Sequence, residues 1–94
     1  YMDIVFDPVK DASNKRKHKV FLSDAKDLDW DTIVVEEDID IVYGEERYFG
    51  LSYGLTYLGD NIYAVVFTEI SDDACRIISL RRATNHEVQR YANS

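Results

Sequence analysis

Three stretches rich in β-branched and aromatic residues, 47–53, 62–69 and 75–80, follow one another with only the turn-forming segments GLTYLGDN and ISDD between them. Parallel neighbours need a crossover of roughly a dozen residues or more, usually a helix, and these connections are too short to hold one. The three strands are therefore predicted to form an antiparallel meander. The middle strand is apolar on both alternating faces, with Ile62, Ala64 and Val66 on one and Tyr63, Val65 and Phe67 on the other. Helices are expected to cover one face. The other keeps an aromatic surface that takes in Phe49 and Tyr53 where the registers agree.

The chain ahead of the meander supplies those helices. Residues 1–6 read as a short strand whose Ile4, Val5 and Phe6 are candidates for a core. Asp7 followed by Pro8 is a helix start, an acceptor for free amides and then the residue best suited to the first helical position, and the helix runs to about Lys19. At 100° per residue Val9, Ala12, Ser13 and Val20 share one face with Arg16 in its middle, while Lys10, Asn14 and Lys17 lie on the opposite, solvated face with His18 at its edge. Arg16 either packs its stem on the core or reaches a substrate cleft. His18 is either a cap for the last carbonyls or a general base. Phe21, Leu22, Ala25 and Leu28, closed by Trp30, predict a second short helix over residues 21–29. Residues 32–36 have strand composition, and the acid-rich DIDIVYG after them reads as a loop ending at Gly44.

The end of the chain is the most fully specified. Thr84 and Glu87 form a T-x-x-E capping box, Ala83 can staple to Val88, and Val88, Tyr91 and Ala92 form an apolar helix face. The expected architecture is α+β: two N-terminal helices packed on a small antiparallel sheet, followed by a C-terminal helix, in one domain spanning residues 1–94.

Net charge is −7, which argues against a basic nucleic-acid binder, but the charge is segregated. Ten of the eighteen acids fall between Asp24 and Glu46, and five of the eleven bases between Lys10 and Lys19. That division allows a local RNA-binding surface beside an acidic face suited to a basic protein. A single cysteine, Cys75, and no signal-like segment point to a reducing cytoplasm. The apolar run 62–67 is far short of the roughly 20 residues that span a bilayer, so no membrane partner is expected.

The chemistry-bearing residues gather late in the chain. Arg76 and Ser79 lie on the last strand, and Arg81 and Arg82 sit where it hands over to the C-terminal helix. Cations at a helix N-terminus make an anion site, above all for phosphate. One cysteine and two distant histidines offer no metal set, and glycine-rich nucleotide loops and the G-x-S-x-G elbow are missing, so no cofactor is expected. What remains suits metal-independent RNA cleavage, in which a 2′-hydroxyl attacks the adjacent phosphate and guanidinium groups stabilise the growing charge. Proton transfer would fall to Glu69, Glu46, His18 or Tyr91. Glu69 ends the strand before the arginine strand and is a candidate neighbour of Arg76, as a catalytic carboxylate or as a plain cross-strand ion pair. Tyr91 is equally a packing residue of the last helix.

The motifs also carry a resemblance. FDPVKDASNKRKHKV resembles the opening W-D-P-x-K-x-x-x-N-x-x-K-H-G-V of the BrnT toxin family, and YGEERYFGLSYGL, VVFTE and CRIISLRRATNHEVQRYAN are similar to its G-E-E-R, V-x-x-T-E and R-I-I-S-A-R-R-A-T-x-x-E-x-x-x-Y segments. The match runs through nearly the whole chain in order. It implies a ribonuclease toxin of a type II toxin-antitoxin module with a RelE-like fold, arresting translation by cleaving RNA. The implied partner is a BrnA-like ribbon-helix-helix antitoxin through which the pair contacts DNA. The matched positions are His18, Glu46, Arg47, Glu69, Arg76, Ser79, Arg81, Arg82 and Tyr91. RelE-like enzymes combine arginines with a tyrosine near the C-terminal helix. Together with the residue reading, this implies Arg76, Arg81, Glu69, Tyr91 and His18 for catalysis, and Arg82, Ser79, Arg47, Arg16 and Lys17 for RNA binding. Departures are Lys19 where the family has glycine, Phe6 for tryptophan, a longer connection at 54–61, and the acids at 36–40. Two other readings stay open: a noncatalytic antitoxin-binding subunit that serves only operon repression, and an adaptor using the aromatic sheet face.

Overall fold

The computed structural model describes residues 2–36, 40–42, 45–55, 58–59 and 61–94. β4 (Glu45–Tyr53), β5 (Ile62–Ser71) and β6 (Ala74–Arg82) form the expected meander, paired antiparallel in chain order. β2 (Val34–Val35) and β3 (Asp40–Val42) pair antiparallel with successive parts of β4, so the acid-rich segment expected as a loop contributes a strand. Gly44, its expected end, lies outside the described residues.

The sheet is mixed rather than wholly antiparallel. β1 (Asp3–Val5) lies parallel to β6, with Asp3 opposite Ala74 and Val5 opposite Arg76, giving the order β1-β6-β5-β4-β2. Short connections dictate direction only between neighbours in sequence, and most of the chain separates β1 from β6, which leaves either direction open.

Only one N-terminal α-helix forms, α1 (Pro8–His18), with Asp7 accepting from the Val9 amide at 2.9 Å. The expected second helix is instead a 3₁₀ segment, Leu22–Asp27, followed by a 3₁₀ turn at Trp30–Thr32. The reason lies in the spacing. Leu22, Ala25 and Leu28 are three apart, all buried, and a 3₁₀ helix, with three residues per turn, stacks such a series on one line. These residues close the core over Tyr63, Val65 and Phe67 of β5 and Cys75, Ile77 and Leu80 of β6. Trp30 meets Phe67 edge-on at 5.4 Å, its indole donating to the Ala25 carbonyl, and Tyr48 stacks with Phe67 at 5.6 Å. Gly50 leaves room for this packing, since a Cβ there would stand 2.7 Å from Ile33 Cδ1.

The packing of α1 inverts the expected orientation. Val9 is 78% exposed, Ala12 and Arg16 are exposed, and Asn14 is the buried member of the helix. α1 does not lie on an apolar sheet face. It lies along the edge of β6, where β1 has already ended, and a strand edge presents backbone donors and acceptors rather than apolar surface. The Asn14 amide answers both, donating to the Leu80 carbonyl at 2.7 Å and accepting from the Leu80 amide at 3.3 Å, with a further donation to the Val20 carbonyl at 2.8 Å. α1 ends at Lys19, which takes the left-handed turn at φ 68° although it is not glycine.

α2 (Asn85–Ala92) carries the expected capping box: the Thr84 hydroxyl accepts from the Glu87 amide and Glu87 Oε1 from the Thr84 amide. Its buried member is Glu87, whereas Val88 is 38% exposed. Charge, not an apolar stripe, docks this helix. Among the described residues no helix is long and apolar enough to cross a membrane.

Candidate anion-binding groove

A bulge in β6 determines which of its side chains meet. Val66 pairs with Ser79 and Phe67 with Ile77, which leaves Ile78 as an extra residue without a partner across the ladder. Alternation alone would have put Arg76 and Arg81 on opposite faces. With the bulge, Arg76 stands opposite Thr68, Ser79 opposite Val66 and Arg81 opposite Ala64. Thr68, Val66 and Ala64 are alternate residues of β5, so Arg76, Ser79 and Arg81 project from the same face, the one away from the core. Arg47 joins them from β4, two residues before Phe49, which pairs with Val66.

α1 walls this face along the β6 edge and completes two adjoining cavities. One, of about 240 Å³, is lined by Asp7 and Lys10 of the helix start and by Arg47, Arg76, Ile77 and Ile78. The next, of about 260 Å³, is lined by Lys10, Ser13, Asn14, Lys17 and His18 with Ile78 and Ser79. Lys10 and Ile78 belong to both, so the two form one groove. Lys10, Lys17, Arg47 and Arg76 face it from three elements, with one carboxylate, Asp7, at its end and already engaged as the α1 cap. In a chain of net charge −7 this local excess of cations is suited to holding an anion.

The structure therefore gathers five of the sequence-derived candidates: Arg76, Ser79, Arg47, Lys17 and His18. The others lie elsewhere. Arg81 shares the face but is held by Glu87 in a two-pronged pair at 2.8 and 3.0 Å, its guanidinium 6.0 Å from the Phe49 ring. That contact raises the Arg81 pKa and, with the Thr84 amide, pulls the Glu87 carboxyl down to about 2. Arg90 extends the network to Glu36 at 3.2 Å, so α2 is tied down across the sheet. Arg82 donates to Asn61 Oδ1 at 2.6 Å. Glu69 pairs with Cys75, one position off Arg76's partner Thr68, so Glu69 and Arg76 leave the sheet on opposite faces. There Glu69, second to burial, helps push the Cys75 thiol up to about 11. Arg16 is exposed and lines neither cavity, and Tyr91 is half-buried on α2.

Lys10 and Asn14 are the groove residues that sequence reasoning left among solvated ones. Their signal was present: with Lys17 they share a helix face at spacings of four and three. Apolar residues on the other side of α1 drew the inward direction wrongly.

A model of the family described as "Ribonuclease toxin, BrnT, of type II toxin-antitoxin system" matches residues 6–87. Among solved structures, the 1.1 Å crystal structure of the Brucella abortus ribonuclease toxin BrnT is similar at a TM-score of 0.64 and 23% identity, over 90% of this chain and 100% of that one. At that identity the likeness is one of fold. No curated protein sequence matches.

Proposed function

We propose, from the premise that this chain belongs to the BrnT family of ribonuclease toxins of type II toxin-antitoxin systems, that it cuts RNA in the α1–β6 groove without a metal ion. Translation stops as a result, and a BrnA-like antitoxin with a ribbon-helix-helix domain neutralises the toxin and carries the complex to DNA. The observation that supports the RNA site is the convergence of Lys10, Lys17, Arg47 and Arg76 on one groove of an acidic protein, with His18 and Ser79 beside them.

In this reading Lys10, Lys17 and Arg47 hold consecutive phosphates, and Arg76 places its forked donors on the nonbridging oxygens of the scissile one. His18 takes the 2′-hydroxyl proton as the 2′-oxygen bonds to phosphorus and the bond to the 5′-oxygen breaks, and a proton returns to that leaving oxygen. The products are a 2′,3′-cyclic phosphate and a 5′-hydroxyl. Ser79 donates to a phosphate oxygen. Arg81 acts by tethering α2, which carries Tyr91, in the manner of RelE-like enzymes whose C-terminal helix borders the site. Glu69 and Arg82, on the core side of the sheet, and the exposed Arg16 serve surfaces outside the groove.

The noncatalytic alternative draws on one observation, the engagement of Arg81 by Glu87, which removes one arginine from the reacting phosphate. Incubation of the purified protein with single-stranded RNA in EDTA decides between them. Fragments ending in cyclic phosphate, lost in Arg76→Ala protein of unchanged unfolding midpoint, support the nuclease. Intact RNA at high protein concentration overturns it.

A further inference from the structure

The opposite side of the molecule carries a second groove of contrary character. A cavity of about 500 Å³ lies between β1, the 3₁₀ segment and the turn after it, with Met2, Ile4, Leu28, Trp30 and Leu55 among its lining. Four aspartates, Asp3, Asp27, Asp29 and Asp31, rim it, and Lys26 is the cation of its lining. A second cavity of about 210 Å³ adjoins it through Met2 and Trp30, floored by Ile33, Val35 and Phe67, with Glu69 and Asp72 at its mouth.

Two features set this groove apart from a merely solvated acidic surface. It has an apolar floor, and two of the large apolar side chains left open to water belong to it: Leu55 at 43% exposed and Val35 at 41%. Open apolar surface ringed by charge is the ordinary form of a docking site. The rim fixes the sign of what docks there, since a segment bearing arginine or lysine would relieve the mutual repulsion of the aspartates, while an acidic one would add to it.

We infer that this groove, between β1, the Leu22–Thr32 region and the β5–β6 turn, binds a basic amphipathic segment of a partner protein, its cationic side chains on the aspartate rim and its apolar ones in the floor. The toxin reading enters only in naming the partner, as the antitoxin. Binding itself does not depend on it. The anion groove lies on the other face of the sheet, so a segment seated here leaves Arg76 and Lys17 uncovered. An antitoxin holding the toxin in this way needs a second contact, or a distortion of β6, to silence it.

Trp30 is the chain's only tryptophan and lines both cavities, so its fluorescence reports occupancy directly. The probe is a twelve-residue peptide of alternating leucine and arginine, titrated against the whole protein, with a leucine and glutamate peptide as control. The expected result is a saturable change in Trp30 emission with the basic peptide alone. Affinity should fall at least fivefold in Asp27→Asn/Asp31→Asn protein and in Leu55→Ser protein, and stay unchanged in Lys10→Ala/Lys17→Ala protein, which has lost the anion groove instead. The two floor and rim variants are independent, so misfolding of one leaves the other as the test. Equal affinity in wild-type and rim-variant proteins, or no emission change, overturns the inference. So does a free protein that sediments as a dimer and becomes monomeric in the Asp27→Asn/Asp31→Asn variant, which assigns the groove to a second copy. RNA cleavage in the same variants is read separately: its absence from wild-type protein sinks the nuclease reading and leaves the peptide result standing.

Discussion

The side-chain amide of Asn14 meets both backbone groups of Leu80, sixty-six residues away, and takes the place of the peptide group a neighbouring strand would have offered. β1 covers the β6 edge only from Ala74 to Arg76. Beyond it, one asparagine holds α1 at the distance that makes the anion groove.

Asn14→Ala should therefore be among the most damaging single substitutions in the chain. It removes three hydrogen bonds at a buried site and leaves the Leu80 groups without them, a cost of about 2–4 kcal/mol. Asn14→Asp should be as severe, because a carboxylate would face two carbonyl oxygens that now accept from the amide. Urea unfolding midpoints for the two variants check this, and a loss below about 1 kcal/mol in both would show that α1 is held by other contacts.

The Glu87–Arg81 pair makes stability acid-sensitive in a definite window. Glu87 titrates at about 2 in the folded chain against an ordinary 4.5, so the unfolded chain binds the proton more readily. Its contribution is complete above about pH 4.5 and disappears as pH falls through 2. A depression of this size corresponds to about 3 kcal/mol, and screening at the one-third exposed Arg81 lowers it to about 2. The stability gap between wild-type and Glu87→Gln proteins should be about 2 kcal/mol at pH 6 and should close toward pH 2.

Lys19 invites the reverse change. It holds φ 68° with a side chain, a conformation costing a non-glycine residue about 1 kcal/mol or slightly more. Lys19→Gly should raise stability by about 0.5–1 kcal/mol, some of the gain being offset by the freer unfolded chain. Thermal unfolding of the pair gives the sign. A lower midpoint for the glycine protein would show that the freer unfolded chain costs more than the strain that is relieved.

On RNA, the groove cations should differ in what they control. Arg76→Ala should lower the cleavage rate about 10²-fold at saturating substrate, as the loss of a charge-stabilising donor does. Lys10→Ala and Lys17→Ala should mainly weaken binding, and each should reduce by about one the slope of log affinity against log salt. EDTA should leave the rate unchanged. Single-turnover cleavage at several salt concentrations separates these effects.

The meander, the Asp7–Pro8 start and the Thr84–Glu87 box were legible because each depends on residues close in sequence. The parallel docking of β1 was not, since nothing local encodes which distant edge a strand will join. Nor was the bulge at Ile78. Simple alternation groups Arg76 with Arg82, whereas the extra residue brings Arg76, Ser79 and Arg81 to one face. The apolar series Leu22, Ala25 and Leu28 is legible as helical, but a spacing of three belongs to the 3₁₀ segment that forms and not to the expected second α-helix. For α1, apolar periodicity pointed the wrong way because a helix against a strand edge is oriented by hydrogen bonds. The polar row Lys10, Asn14 and Lys17 was visible, and its meaning depended on a partner strand near the other end of the chain.

That separation has a kinetic side. β4, β5 and β6 pair with near neighbours in sequence, while both partners of the early segments, Ala74 to Arg76 for β1 and Leu80 for Asn14, come late. Contacts of such long sequence separation form slowly, after local ones have closed the intervening loops. A chain emerging from the ribosome therefore cannot bring Lys10, Lys17 and His18 against Arg76 and Ser79 until β6 has been made. The groove is assembled late. On the proposed reading, in which RNA is cut in this groove, such an order would keep the unfinished chain harmless to the message and the ribosome that are producing it.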